Sequence, residues 1–132
     1  MAEQISKWLN ITFLVHFFII IIFGLVLLIF VEGYRDFIAW PYLDPVIGRV
    51  LGAAFIGFAA SSLLAWRETE WIKVKIIVQM EIVWCAIGGI TLFVSLFVPS
   101  FEALPLFTWV TIILLFFFLI VFIWFYFQHE RK

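Results

Sequence analysis

The chain has 132 residues, of which 67% are hydrophobic and 13% charged, with 18 Phe and 7 Trp, whereas soluble domains run near one-quarter charged. That balance excludes a water-soluble globular domain, because the polar side chains are too few to cover the apolar ones, and it makes lipid the solvent for most of the surface. A net charge of −1 with no Lys/Arg cluster excludes the electrostatic footprint of a nucleic-acid partner.

The first predicted element is a helix from about Trp8 to Val31. This nearly unbroken apolar run has the length needed to cross ~30 Å of hydrocarbon. Lys7 and Trp8 mark its entry. Its length and its exit into Glu32-Gly33-Tyr34-Arg35-Asp36 set it apart from a cleaved signal peptide. A polar and aromatic connection follows from Glu32 to Leu43, with Trp40-Pro41-Tyr42 suited to the headgroup boundary. Asp44-Pro45 then reads as an N-cap followed by proline at the first helical position.

The second predicted span, Pro45 to Trp66, is rich in small residues. Gly48 and Gly52 are four apart, as are Ala53, Gly57 and Ser61. Small residues at that spacing let helix backbones approach closely, which is how packing is gained in lipid. A short turn, Arg67 to Glu70, leads to the third span, Trp71 to Val98, where Lys73 and Lys75 can snorkel to the interface. Pro99-Ser100-Phe101-Glu102 breaks that helix. The fourth span, Leu104 to Phe127, is nearly pure Leu, Ile, Val and Phe, and Gln128 to Lys132 is expected in water.

The fold expectation is therefore all-α: one domain over residues 1–132, an antiparallel up-down four-helix bundle integral to the cell membrane. Lys7, Arg67, Lys73, Lys75, Arg131 and Lys132 fall on one side and Arg35 and Arg49 on the other, so the positive-inside rule puts both termini in the cytoplasm.

Glu81 stands out as a carboxyl about ten residues into the third span, roughly 15 Å along the helix axis. An intramembrane acid must face an interior, a cavity or a partner; it acts there either on a ligand or ion, or as a structural hydrogen-bond group. His16 lies at a similar depth in the first span, so the two could form a proton relay or small cation site; its other reading is a single interhelical hydrogen bond. Gln79 sits on a different face from Glu81 and is expected to bond another helix. Trp84, three residues past Glu81, is placed to line a pocket for an apolar or cationic ligand. Arg49 is expected to hold the outer loop through a salt bridge with nearby acids or to meet an anionic headgroup. The mixed-charge run Arg67, Glu68, Glu70, Lys73, Lys75 reads as a solvated turn or a docking point for a cytoplasmic partner. Trp8, Trp40, Trp66, Trp71 and Trp124 read as interfacial anchors.

No cofactor or metal site is expected. Cys85 is the only cysteine, His16 and His129 are the only histidines, and the Glu-x-x-His pattern of di-iron bundles is missing. Ser61 and Ser62 lack a base partner and read as packing positions, so no enzymatic activity is expected.

The strings Trp40-Pro41-x-x-Asp44-Pro45, Arg49-x-Leu51-Gly52-Ala53, Trp66-Arg67-Glu68-x-Glu70-Trp71 and Gln79-x-Glu81-x-x-Trp84 resemble small uncharacterised prokaryotic four-span membrane proteins. The resemblance covers roughly Trp40 to Trp84 and implies a topology without an activity. The functional expectation is a non-enzymatic membrane protein acting by binding, as an accessory or assembly subunit of a membrane complex or as the holder of a lipid or quinone-like ligand. Membrane lipid and a homo-oligomer or larger complex are the implied partners. The alternative is a small homo-oligomeric proton- or cation-coupled transporter or channel using Glu81 and His16.

Overall fold

A computed structural model describes residues 3–40, 42–98 and 105–131. The described chain is helical: α1 Lys7–Ile29, α2 Val31–Ile38, α3 Pro45–Arg67, α4 Trp71–Ser95 and α5 Phe107–Glu130. All but α2 are long and apolar enough to cross a membrane; α1, at 23 residues, spans about 35 Å at 1.5 Å per residue. The expected Pro41, the break at Pro99–Glu102, the helix start at Leu104 and Lys132 lie outside the described residues.

The helix starts follow local chemistry. Ser6 caps α1 by accepting from the Leu9 N–H at 3.2 Å. Asp44 caps α3 by accepting from both Val46 and Ile47 N–H at 2.9 Å, with Pro45 at the first turn; a carboxylate there satisfies two of the backbone donors that no helical carbonyl can reach.

The chain divides into two compact units, Met1–Lys73 and Val74–Lys132. In the first, α1 and α3 run antiparallel in close contact. Asn10 donates to the Trp66 carbonyl, His16 meets Ser62, Gly24 faces Gly52 and Ile56, and Val31 covers Gly48. Gly52 is the tightest point: a Cβ placed there would lie 2.7 Å from the Leu28 nitrogen and 2.8 Å from the Gly24 oxygen. Only a glycine lets the two backbones come that close. The inner face of this pair is Leu9, Phe13, His16, Gly24 and Leu27 against Gly48, Gly52, Ala59, Ser62 and Ala65.

In the second unit α4 and α5 pair antiparallel. Lys75 Nζ meets Glu130 at 2.8 Å, Gln79 donates to the Tyr126 hydroxyl at 3.4 Å, and Gly88 and Gly89 face Leu115 and Phe116. The buried stripe of α5 is Thr108, Ile112, Phe118, Phe122, Phe125 and His129, a helical period with Phe118 and Phe122 stacked, centroids 6.1 Å apart.

Four expectations need correction. The connection Glu32–Leu43 holds a helix, α2, because Val31 and Ile38 fall on one face seven residues apart and are both buried. Helical bonding passes from α1 into α2 across a bend at Phe30 (φ −120°, ψ 31°), whose N–H still reaches Val26 and whose carbonyl accepts from Tyr34. The third span ends at Ser95, three residues short, in a turn where Leu96 and Phe97 N–H bond to Phe93 and Val94 carbonyls. In the C-terminal segment α5 continues to Glu130, and His129 is 2% exposed, while Gln128, Glu130 and Arg131 are exposed as expected. Trp71 is also no interfacial anchor. It is 5% exposed, and its N–H donates to the Glu3 carbonyl at 2.8 Å, so the N-terminal segment lies against the start of α4.

Candidate functional site

His16 and Glu81 both lie deep in their spans, and each is built into the inner face of its own unit. His16 falls on the α1 face defined by Leu9, Phe13, Gly24 and Leu27 and is 1% exposed. Its Nδ1 lies 2.8 Å from Ser62 Oγ on α3. The bond is possible because Ser62 is small and buried on the α3 face that meets α1. A polar pair sealed from water is costly to break, since either group left alone loses its hydration without replacement.

Glu81 is 0% exposed. It sits in the α4 stripe Val74, Val78, Glu81, Cys85, in steps of three and four, so it continues an otherwise apolar inner face. Cys85 lies one turn further along that face as a buried free thiol. Trp84, half-buried, is on the flank of the same face. Gln79 lies about 200° around the helix from Glu81, is exposed, and bonds Tyr126 on α5. His16 belongs to the first unit and Glu81 to the second.

The remaining polar groups form surface ties. At one end of the first unit, Arg49 Nη2 pairs with Glu32 Oε1 at 2.7 Å, fastening α2 to the start of α3. The Arg49 hydrogen bond holds the Glu32 carboxyl below its ordinary range. Tyr34, half-buried on α2, has its hydroxyl pKa pushed up to about 12 by burial. At the other end, Lys73 bridges Glu68 at 3.3 Å and Glu70 at 3.1 Å. The same turn is closed by backbone pairing to the N-terminal segment: Gln4 and Glu70 form an antiparallel bridge, and the Ile5 N–H donates to the Thr69 carbonyl at 2.9 Å.

Of the small residues singled out in the sequence, Gly52 meets α1 and Gly48 meets Val31 at the start of α2, while Ala53 and Gly57 are on the exposed face of α3. Ser61 donates within its own helix to the Phe58 carbonyl at 2.8 Å. Two participants escaped the sequence reading. Ser62 is the partner of His16, and its signal was its place about one turn from each of Ala59 and Ala65 on one helical face. His129 donates Nδ1–H to the Phe125 carbonyl at 2.8 Å; its signal was the continuation of the Phe118, Phe122, Phe125 period by one more turn. Among the described residues, no group of three or more His, Cys, Asp or Glu side chains converges on a point where a metal could bind.

Among the described residues, four helices long and apolar enough to cross a membrane make this a multi-pass α-helical membrane protein. Comparison with protein-family models, curated proteins and solved structures returns no match to the chain.

Proposed function

We propose that this is a non-enzymatic, up-down four-span protein of the cell membrane, with cytoplasmic termini, that acts by binding. It serves as an accessory or assembly subunit of a membrane complex, or holds a lipid or quinone-like ligand. The observation that carries this reading is the division of the surface. The intramembrane polar groups His16, Ser62 and Glu81 are buried, while the outward faces present large apolar side chains such as Phe18, Ile22, Ile87, Ile113 and Phe117. Such faces offer contact area to lipid tails or to other membrane helices and no chemistry of their own. The cytoplasmic placement follows from the six-to-two division of Lys and Arg.

Native mass spectrometry of the gently extracted protein tests this: a companion subunit, or a retained lipid or quinone-like molecule, is the expected result. A bare, stable homo-oligomer would contradict it.

A second reading is favoured by the full burial of Glu81 and His16 inside spans, since such groups are rare and costly outside ion or proton pathways. In that reading the protein is a small homo-oligomeric conduit using Glu81 and His16. Glu81→Gln in proteoliposomes then abolishes proton or cation flux while leaving the fold intact. A variant that instead loses thermal stability and carries no altered flux refutes the conduit.

A further inference from the structure

We propose that the outward flank of α5 near its C-terminal end is a binding site for an anionic phospholipid, with the headgroup phosphate at Arg131 and Gln128 and an acyl chain along Trp124 and Ile120. This deepens, and rests on, the reading of the chain as a membrane-spanning protein with lipid as a partner.

Ile120, Ile123, Trp124, Phe127, Gln128 and Arg131 line a depression of about 460 Å³. Their spacing of three and four places all six on one helical face, opposite the buried stripe that ends in Phe125 and His129. The face is graded. Its first four residues are apolar, and its last two carry an amide and a guanidinium. From Ile120 to Arg131 the helix advances about 16 Å, close to half of the ~30 Å hydrocarbon layer. The depression therefore has the length of one leaflet, with its polar end where headgroups lie.

Charge decides which lipid. Among the described residues Arg131 has no carboxylate partner; its guanidinium lies over the Phe127 ring, 5.7 Å from the centroid. The neighbouring acid, Glu130, is engaged by Lys75 at 2.8 Å, so it leaves the Arg131 charge uncompensated. The cation–π contact with Phe127 holds the guanidinium at the mouth of the depression. A planar fork of donors is suited to bind two phosphate oxygens at once. Trp124, with an apolar body and one N–H donor, fits the boundary between chain and headgroup. The terminal carbonyls of α5 disfavour an anion on the helix axis, so recognition falls to the side chains on this flank.

The test is native mass spectrometry of the full chain in detergent, titrated with phosphatidylglycerol and phosphatidylcholine of identical acyl chains. The wild type should prefer phosphatidylglycerol by roughly fivefold, the factor for one basic residue near an anionic surface. R131Q should bring the two lipids to near equality, while R67Q, which removes the same charge from the exposed α3–α4 turn, should leave the preference intact. With bromine-labelled chains, quenching that is lost in W124F should be stronger for phosphatidylglycerol. Equal binding of the two lipids by the wild type overturns the proposal, as does an equal loss in R131Q and R67Q. Displacement of the lipid by millimolar inorganic phosphate also overturns it, since the ligand would then be the free anion. Release of the protein from membranes by alkaline carbonate would instead refute the membrane-spanning reading beneath it.

Discussion

Gly52→Ala and Gly57→Ala make the same chemical change five residues apart on α3, and the structure predicts opposite outcomes. At Gly52 the added methyl would sit 2.7 Å from the Leu28 nitrogen, 2.8 Å from the Gly24 oxygen and 3.1 Å from the Leu27 carbonyl carbon. All three are backbone atoms of α1, which cannot rotate aside as a side chain would. The helices must separate, and the neighbouring contacts of Gly24 with Ile56 and of His16 with Ser62 loosen with them. At Gly57 nothing lies within 4 Å. Both variants gain the same helix-propensity advantage of about 1 kcal/mol over glycine, which cancels in the comparison. What remains is the overpacking cost at Gly52, about 1–3 kcal/mol. Reversible unfolding in mixed micelles, followed by circular dichroism, should therefore rank Gly57→Ala above Gly52→Ala by that margin, with Gly57→Ala at or above the wild type. Equal stabilities would refute the close α1–α3 approach.

Ser62→Ala removes the buried partner of His16 and should cost about 0.6–2 kcal/mol in the same assay, the range for interhelical side-chain bonds in membrane proteins; a double-mutant cycle with His16→Phe should show coupling between the two sites and none between His16 and Ser61. Glu32 has its folded-state pKa lowered from 4.5, chiefly by the Arg49 hydrogen bond, so its contribution to stability is present above pH 4.5 and is lost as the pH falls through the lowered value. Wild type should exceed Glu32→Gln in thermal midpoint at pH 7, and the gap should close in acid. Ala39 holds a left-handed conformation (φ 54°) at the C-cap of α2, where a Cβ costs about 1–2 kcal/mol; Ala39→Gly should raise the midpoint. Removing residues 1–5 should speed amide exchange at Trp71 at least tenfold, because the bond from its backbone N–H to the Glu3 carbonyl is lost.

The four long helices were legible because membrane-length apolar runs leave the chain little alternative to a helix: every backbone group must be satisfied within the segment. Asp44-Pro45 marked the start of α3 to the residue. The α2 helix was missed since its charged residues, Glu32, Arg35 and Asp36, mask a short period carried only by Val31, Tyr34 and Ile38. Spacing also could not separate the two small-residue series on α3. Gly48/Gly52 and Ala53/Gly57/Ser61 are alike as strings, and only the positions of Gly24 on α1 and Val31 on α2 decide which is covered. Glu81 and His16 were found by a one-residue argument, an ionisable group in an apolar run. Ser62 was not, because a serine among alanines reads as another small residue until its partner is placed. His129 was misplaced for the converse reason: the polar neighbours Gln128, Glu130 and Arg131 suggest water, while the face it shares with Phe122 and Phe125 is buried.

The most direct test of the membrane architecture is labelling of single cysteines with a membrane-impermeant maleimide, in a Cys85→Ser background, in intact and opened vesicles. The exposed positions Gln4, Thr69 and Gly33, and a cysteine appended after residue 132, report all four crossings. Gln4, Thr69 and the appended cysteine should react from the cytoplasmic side only, and Gly33 from the opposite side only. Reaction of Gly33 and Thr69 from the same side would contradict the four-span account.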